Sequence, residues 1–127
     1  MFASGRKTTV GVKYVDRGDP AAWDFIKTDL TLNGTWQELD LSAIVPVGVT
    51  EVFMHVGIDN ASANKTFELR KNGRANAISV VLMRTQVADL TIFNDFLISC
   101  DADRKIEYKA VDVVWTSIYI VVTGWIK

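Results

Sequence analysis

One cysteine, two prolines and one histidine are all that this chain of 127 residues holds of three residue types that carry chemistry or constrain a backbone. The lone cysteine, Cys100, cannot close an internal disulfide and has no Cys/His partners for a structural zinc site, so neither device is expected to hold the fold. The lone histidine, His55, is the single imidazole available to a hydrolytic triad, and no Ser or Cys motif surrounds it. Glycines that could cradle a phosphate are also missing, since Gly57, Gly73 and Gly124 are scattered singly. Charge of one sign is lacking too: 14 Lys and Arg stand against 15 Asp and Glu. Such a chain carries no net field to draw it onto nucleic acid or an anionic membrane surface. No apolar run approaches the roughly 20 residues that cross a bilayer, and "MFASGRKTTV" lacks the apolar stretch of about 7–15 residues that marks a secretory signal. The expectations are no catalytic residues, no metal, no cofactor, no nucleic-acid partner and no membrane insertion.

What is present is apolar character in period two. Hydrophobic residues make up 49% of the chain, enough for a single domain over residues 1–127 to bury a real core. In "VTEVFMHVGI", Val52, Met54, Val56 and Ile58 face one way, while Glu51, Phe53 and His55 face the other. In "KTFELRKNGRANAISVVLM", Phe67 and Leu69 alternate with Glu68 and Arg70. Asn72-Gly73 then offers the positive-φ pair of a tight hairpin, and a second strand is expected from Ile78. Further strands are expected near Thr8 to Val15, Trp23 to Thr31, Trp36 to Leu41, Asp95 to Cys100, Lys105 to Ala110 and Val113 to Trp125, with no convincing helical stripe anywhere. This pattern predicts an all-β fold, an antiparallel β-sandwich, with a jelly roll favoured over an immunoglobulin-like sandwich because the Cys…Trp…Cys pattern is missing.

The segment "VVWTSIYIVVTGWIK" is apolar on both alternating faces, with Val113, Trp115, Tyr119, Val121 and Trp125 on one and Val114, Ile118, Ile120, Val122 and Ile126 on the other. Either a central strand covered on its second face, or a subunit interface, or a sugar-stacking platform accounts for that. Trp115, Tyr119, Val121 and Trp125 are accordingly candidate interface or core anchors, and Trp23 and Trp36 are candidate glycan-stacking residues.

Several small motifs read as turn chemistry. Asp16 with Asp19, and Asp101 with Asp103, fall far short of a calcium loop with its spaced oxygen donors. The sequons at Asn33, Asn60 and Asn64 lie in expected turns. "VDRGDP" contains Arg17-Gly18-Asp19, the tripeptide some cell-surface receptors grip, but it stands between two expected strands and reads as a loop tip. Cys100, in phase with Phe96 and Ile98, is expected to be a buried thiol.

With the strands laid out, "GTWQELDLSAIVPVGVTEVFMHVGI", "FELRKNGRAN" and the closing "KIEYKA" to "VVTGWIK", together about 90 residues over 36–127, resemble β-sandwich domains of bacteriophage virion proteins, particularly tail-fibre-type appendages and capsid decoration proteins. The resemblance implies a non-enzymatic structural or attachment role in a virion. It also implies self-assembly, here through the apolar C-terminal strand, into a homo-oligomer with a trimer favoured, beside other virion proteins and a host surface glycan as partners. A carbohydrate-binding module using surface aromatics is the alternative.

Overall fold

The computed structural model describes residues 11–127. Nine strands run through them: β1 (Tyr14–Asp16), β2 (Phe25–Ile26), β3 (Gln37–Asp40), β4 (Glu51–Asp59), β5 (Thr66–Lys71), β6 (Val81–Arg84), β7 (Ile92–Ser99), β8 (Lys105–Ala110) and β9 (Ser117–Ile126). Helical structure among the described residues is limited to two 3-10 turns, Lys27–Asp29 and Ala77–Ser79. Every strand pairing is antiparallel. One sheet runs β1-β9-β4-β7, with β2 also paired to β9, and the other runs β3-β8-β5-β6.

That order is a nested hairpin. With β1 and β2 taken as one interrupted strand, the first pairs with the last (β2·β9), the second with the seventh (β3·β8), the third with the sixth (β4·β7) and the fourth with the fifth (β5·β6). Rolling such a hairpin so that β9 meets β4 and β8 meets β5 closes two four-membered layers, which is a jelly roll. The fold is therefore an all-β antiparallel sandwich of jelly-roll order, as the strand grammar predicts.

The core is the set of inward positions that period two dictates. Val52, Met54, Val56 and Ile58 of β4 are fully buried, as are Phe67 and Leu69 of β5, Ile106 of β8, and Ile118, Ile120 and Val122 of β9. Complete burial of each such side chain stabilises the fold by about 1.5–3 kcal/mol relative to exposure. Cys100 belongs to this cluster, its Sγ 3.4 Å from the Val49 carbonyl, and burial pushes its thiol pKa up. The residue stands there as a small apolar side chain.

Several expected boundaries move. Of the strand expected at Thr8 to Val15, residues 8–10 lie outside the described residues and the rest starts at Tyr14. Trp23 to Thr31 yields only Phe25–Ile26 before the chain tightens into its 3-10 turn, where Asp29 Oδ2 accepts the Ile26 N–H. The hairpin after β5 is not tight, because Leu69 pairs with Val81 and residues 70–80 make a long excursion. Asn72-Gly73 does turn the chain, with Gly73 at φ +90° and the Arg74 N–H bonding back to Lys71. The second strand starts at Val81, and Ile78, expected to open it, is 96% exposed on a 3-10 turn. The last strand begins at Ser117 and leaves Val113 and Val114 outside it and exposed.

A bulge in β9 resets its phase. Val122 pairs with Met54 but Gly124 pairs with Phe53, so Thr123 is the extra residue. Beyond it Trp125 opposes the buried Val52 and packs on the core, while Tyr119 and Val121 stay on the outer side with His55 and Gly57. The strict alternation expected across Val113 to Trp125 therefore breaks at Thr123.

Candidate binding face

The larger sheet has an outer face built from alternate residues of its strands. Register places Tyr119 beside Gly57 and Gly57 beside Phe93, so glycine stands between two aromatic neighbours. With no side chain on Gly57, the Phe93 ring leans into the space, and a Cβ there would overlap it. One step along the same strands, His55 stands between Val121 and Asp95. Its ring lies parallel to Phe93, centroids 5.2 Å apart, and its Nδ1 meets Asp95 Oδ1 at 2.7 Å.

Trp23 arrives from the loop before β2 and joins these rings. Its indole lies 5.1 Å from Tyr119, 5.9 Å from His55 and 6.0 Å from Phe93, nearly parallel to the last two. Offset parallel rings at these separations attract one another by about 0.5–1.5 kcal/mol per pair beyond their area burial. Trp23 remains 36% exposed and Phe93 44% exposed. A shallow cleft of about 280 Å³ opens beside them, lined by Pro20, Ala21, Ala22, Trp23 and Val121. The face continues past Phe53, which meets the Tyr14 ring edge-on at 5.2 Å, to exposed Leu97 on β7.

The loop that carries Trp23 is strapped down by "VDRGDP" itself. β9 has β1 as neighbour from Gly124 and β2 at Tyr119 and Ile120, which leaves Val122 facing the 17–24 loop instead of a strand. Asp24 Oδ2 accepts the Val122 N–H at 2.8 Å, and Arg17 donates to the Val122 carbonyl at 3.0 Å. Arg17 and Asp24 also form a two-pronged ion pair, so two side chains replace the missing backbone partner. Asp16 Oδ1 accepts the Gly18 N–H, and Gly18 takes φ +102°, which only glycine adopts freely. Arg17-Gly18-Asp19 is thus a turn whose arginine is occupied within its own fold.

The other expected residues fall elsewhere. Trp115 lies before β9, 3% exposed, with its indole N–H donating to the Asp112 carbonyl. Trp36 stands before β3 on the smaller sheet, so it and Trp23 share no platform. The Arg70 guanidinium lies 3.9 Å over its ring and the Lys109 ammonium 5.4 Å away. β9 has both edges paired and its inner face in the core, so only Tyr119 and Val121 of the candidate anchors look outward.

Paired carboxylates serve the backbone. Asp101 Oδ1 accepts the N–H groups of Asp103 and Lys105, and its Oδ2 accepts from Asn72. Burial raises the Asp101 pKa, but those hydrogen bonds outweigh it and hold the carboxyl below its ordinary value. Asn33 and Asn60 each accept the N–H two residues on, and Asn60 is buried with its amide donating to the Val114 carbonyl. Among the described residues no three His, Cys, Asp or Glu side chains come together as metal ligands, and no helix is long and apolar enough to cross a membrane.

His55, Gly57 and Phe93 are not among the candidate glycan-stacking or interface residues that the sequence offers. Each is unremarkable within its own strand, and only the β4–β7 and β4–β9 registers bring them under Trp23.

No protein-family model matches the chain, and no curated protein matches it. Among solved structures it is similar to the coat protein of Tobacco streak virus, at 13% sequence identity and a TM-score of 0.41, with 96% of this chain and 88% of that one covered. A likeness of that depth carries no argument about function. What fold and face define together is a jelly-roll module with an aromatic outer surface.

Proposed function

We propose that the chain is a non-enzymatic structural or attachment module of a virion, of the tail-appendage or capsid-decoration kind, that acts by presenting the outer face of its larger sheet. The observation that carries this is the partly exposed ring cluster of Trp23, His55, Phe93 and Tyr119, backed by a fully packed core. An aromatic face of this kind fits adhesion to another surface. The sole histidine sits among rings and a carboxylate. The likeness of the 36–127 run to phage appendage sandwiches supplies the virion setting. Peptides of this chain recovered from purified virus particles, and not only from the surrounding lysate, are the expected result. Their absence from particles that contain every other structural protein overturns it.

A carbohydrate-binding module is the second reading, and Trp23 is the observation that favours it, since a half-exposed indole beside a shallow cleft is a surface on which a sugar ring can stack. A glycan array is expected to give hits that Trp23→Ala abolishes while Trp36→Ala leaves them intact. An array without hits removes this reading and leaves the first standing.

A further inference from the structure

Among the described residues, one sheet edge stands unguarded. Natural sandwiches blunt their edges with short strands, charges, prolines or bulges, because a row of unpaired N–H and C=O groups recruits another strand. Three edge strands among the described residues obey that rule: β1 has three residues, β3 has four including Glu38 and Asp40, and β6 has four ending on Arg84. The fourth, β7, has eight residues, Ile92–Ser99, in unbroken register with β4 and with no bulge, no proline and Asp95 as its one charge. Phe93 and Leu97 on its outer side are each 44% exposed, and Leu82 across from it on β6 is 45% exposed. Between β6 and β7 the sandwich stays open in a cleft of about 680 Å³.

We propose that β7 pairs with β7 of a second copy of this chain, antiparallel across a two-fold axis, to make one continuous sheet through both molecules. The sequence of the strand selects the occupant. In a continuous antiparallel sheet opposite residues point to the same side, and a pairing centred on Asp95 runs Ile92–Ile98 of one copy against the same segment of the other. It sets Phe93 against Leu97 of the second copy, and Ile92 against Ile98, each twice by symmetry. Aromatic–aliphatic pairs of this kind are what stabilise neighbouring strands. The cost falls at the axis, where the two Asp95 carboxylates meet, each already held by its own His55. The pairing extends beyond the proposed virion role and stands or falls separately from it, because an isolated pair forms with no virus present.

The test is light scattering with site-specific cross-linking on the full chain. The wild type is expected to run as a dimer. Leu97→Lys, a surface change that adds a charge to the edge, is expected to weaken it by about tenfold or more. Asp95→Asn removes the like charges at the axis and is expected to tighten it. Asp95→Cys is expected to cross-link to a dimer under mild oxidation, because residues facing each other across the axis have Cα atoms within disulfide reach. The buried Cys100 of the wild type provides the blank. A monodisperse monomer at high concentration overturns the proposal. So does a trimer or any oligomer that survives Leu97→Lys and gives no Asp95→Cys cross-link.

Discussion

Val122 shows how much of this fold depends on single side chains. Its N–H and C=O face the gap between β1 and β2 along the edge of β9, where no strand is available, and Asp24 and Arg17 take the strand's place. Asp24 is 10% exposed, so the pair is largely out of water. Asp24→Ala strands both the Val122 N–H and the Arg17 guanidinium, and a loss of about 2–4 kcal/mol is expected in urea unfolding. Arg17→Ala is expected to cost less, since Asp24 keeps its bond to Val122. Equal losses would mean that the ion pair alone, and not the bond to the Val122 N–H, is what matters. Gly57 makes the same point on the outer face. Gly57→Ala overlaps the Phe93 ring and is expected to destabilise by about 1–3 kcal/mol, with most of that recovered in a Gly57→Ala, Phe93→Ala double variant. Simple additivity of the two single losses would show that the ring does not lie where the glycine lets it. Neither arrangement can be seen in the sequence. "VDRGDP" declares a turn through its residue types, but the partner of Arg17 lies seven positions away and its carbonyl target 105.

At the level of elements, the inward faces were legible and the ends were not. Val52 to Ile58 and Phe67 with Leu69 alternate cleanly because each strand has one face in the core, and period two is then imposed by burial. Where tertiary contacts overrule alternation, the pattern misleads. Thr123 shifts β9 by one residue, so Trp125 changes sides, a change that local sequence does not announce beyond the adjacent glycine. The excursion over residues 70–80 misleads in the other direction: Ile78 reads as a strand residue yet meets solvent. Ile78→Ser is accordingly expected to change stability by less than about 0.5 kcal/mol, whereas Trp115→Ala, equally outside any strand but 3% exposed, is expected to cost about 3–5 kcal/mol. Thermal unfolding of the two variants side by side checks both. A large loss at Ile78 would place that turn under cover. The candidate face was half legible for the same reason. Trp23 and Tyr119 stand out as aromatics in their own segments, while His55 and Phe93 join them only through strand register.

The molecule as a whole joins these elements through a nested pairing in which the strands furthest apart in sequence lie side by side, and that order follows from strand count and turn spacing only as one choice among several sandwiches. Its response to acid is a property of the same architecture, because the carboxylates with lowered pKa sit where connections turn. Asp40 is lowered by the N–H and hydroxyl of Ser42 just after β3. Asp112, between β8 and β9, is lowered by Lys65 and the Val113 N–H. Asp101, between β7 and β8, is the most enclosed of the three in its bonding, with donors from Asn72, Asp103 and Lys105. A carboxyl whose folded pKa lies below its unfolded value stabilises the fold fully above the unfolded value, near 3.8, and withdraws that support as pH falls through the folded one. Stability measured by urea unfolding is therefore expected to hold from neutrality to about pH 5 and to decline below about pH 4. In Asp101→Asn the amide oxygen can still accept the two backbone N–H groups but has no charge to lose, so the variant starts less stable at neutral pH and declines less steeply. Parallel acid limbs for the wild type and Asp101→Asn would show that the loop between β7 and β8 is not where protons enter. The acid sensitivity would then belong to Asp40 and Asp112, and the corresponding asparagine variants would have to flatten the limb instead.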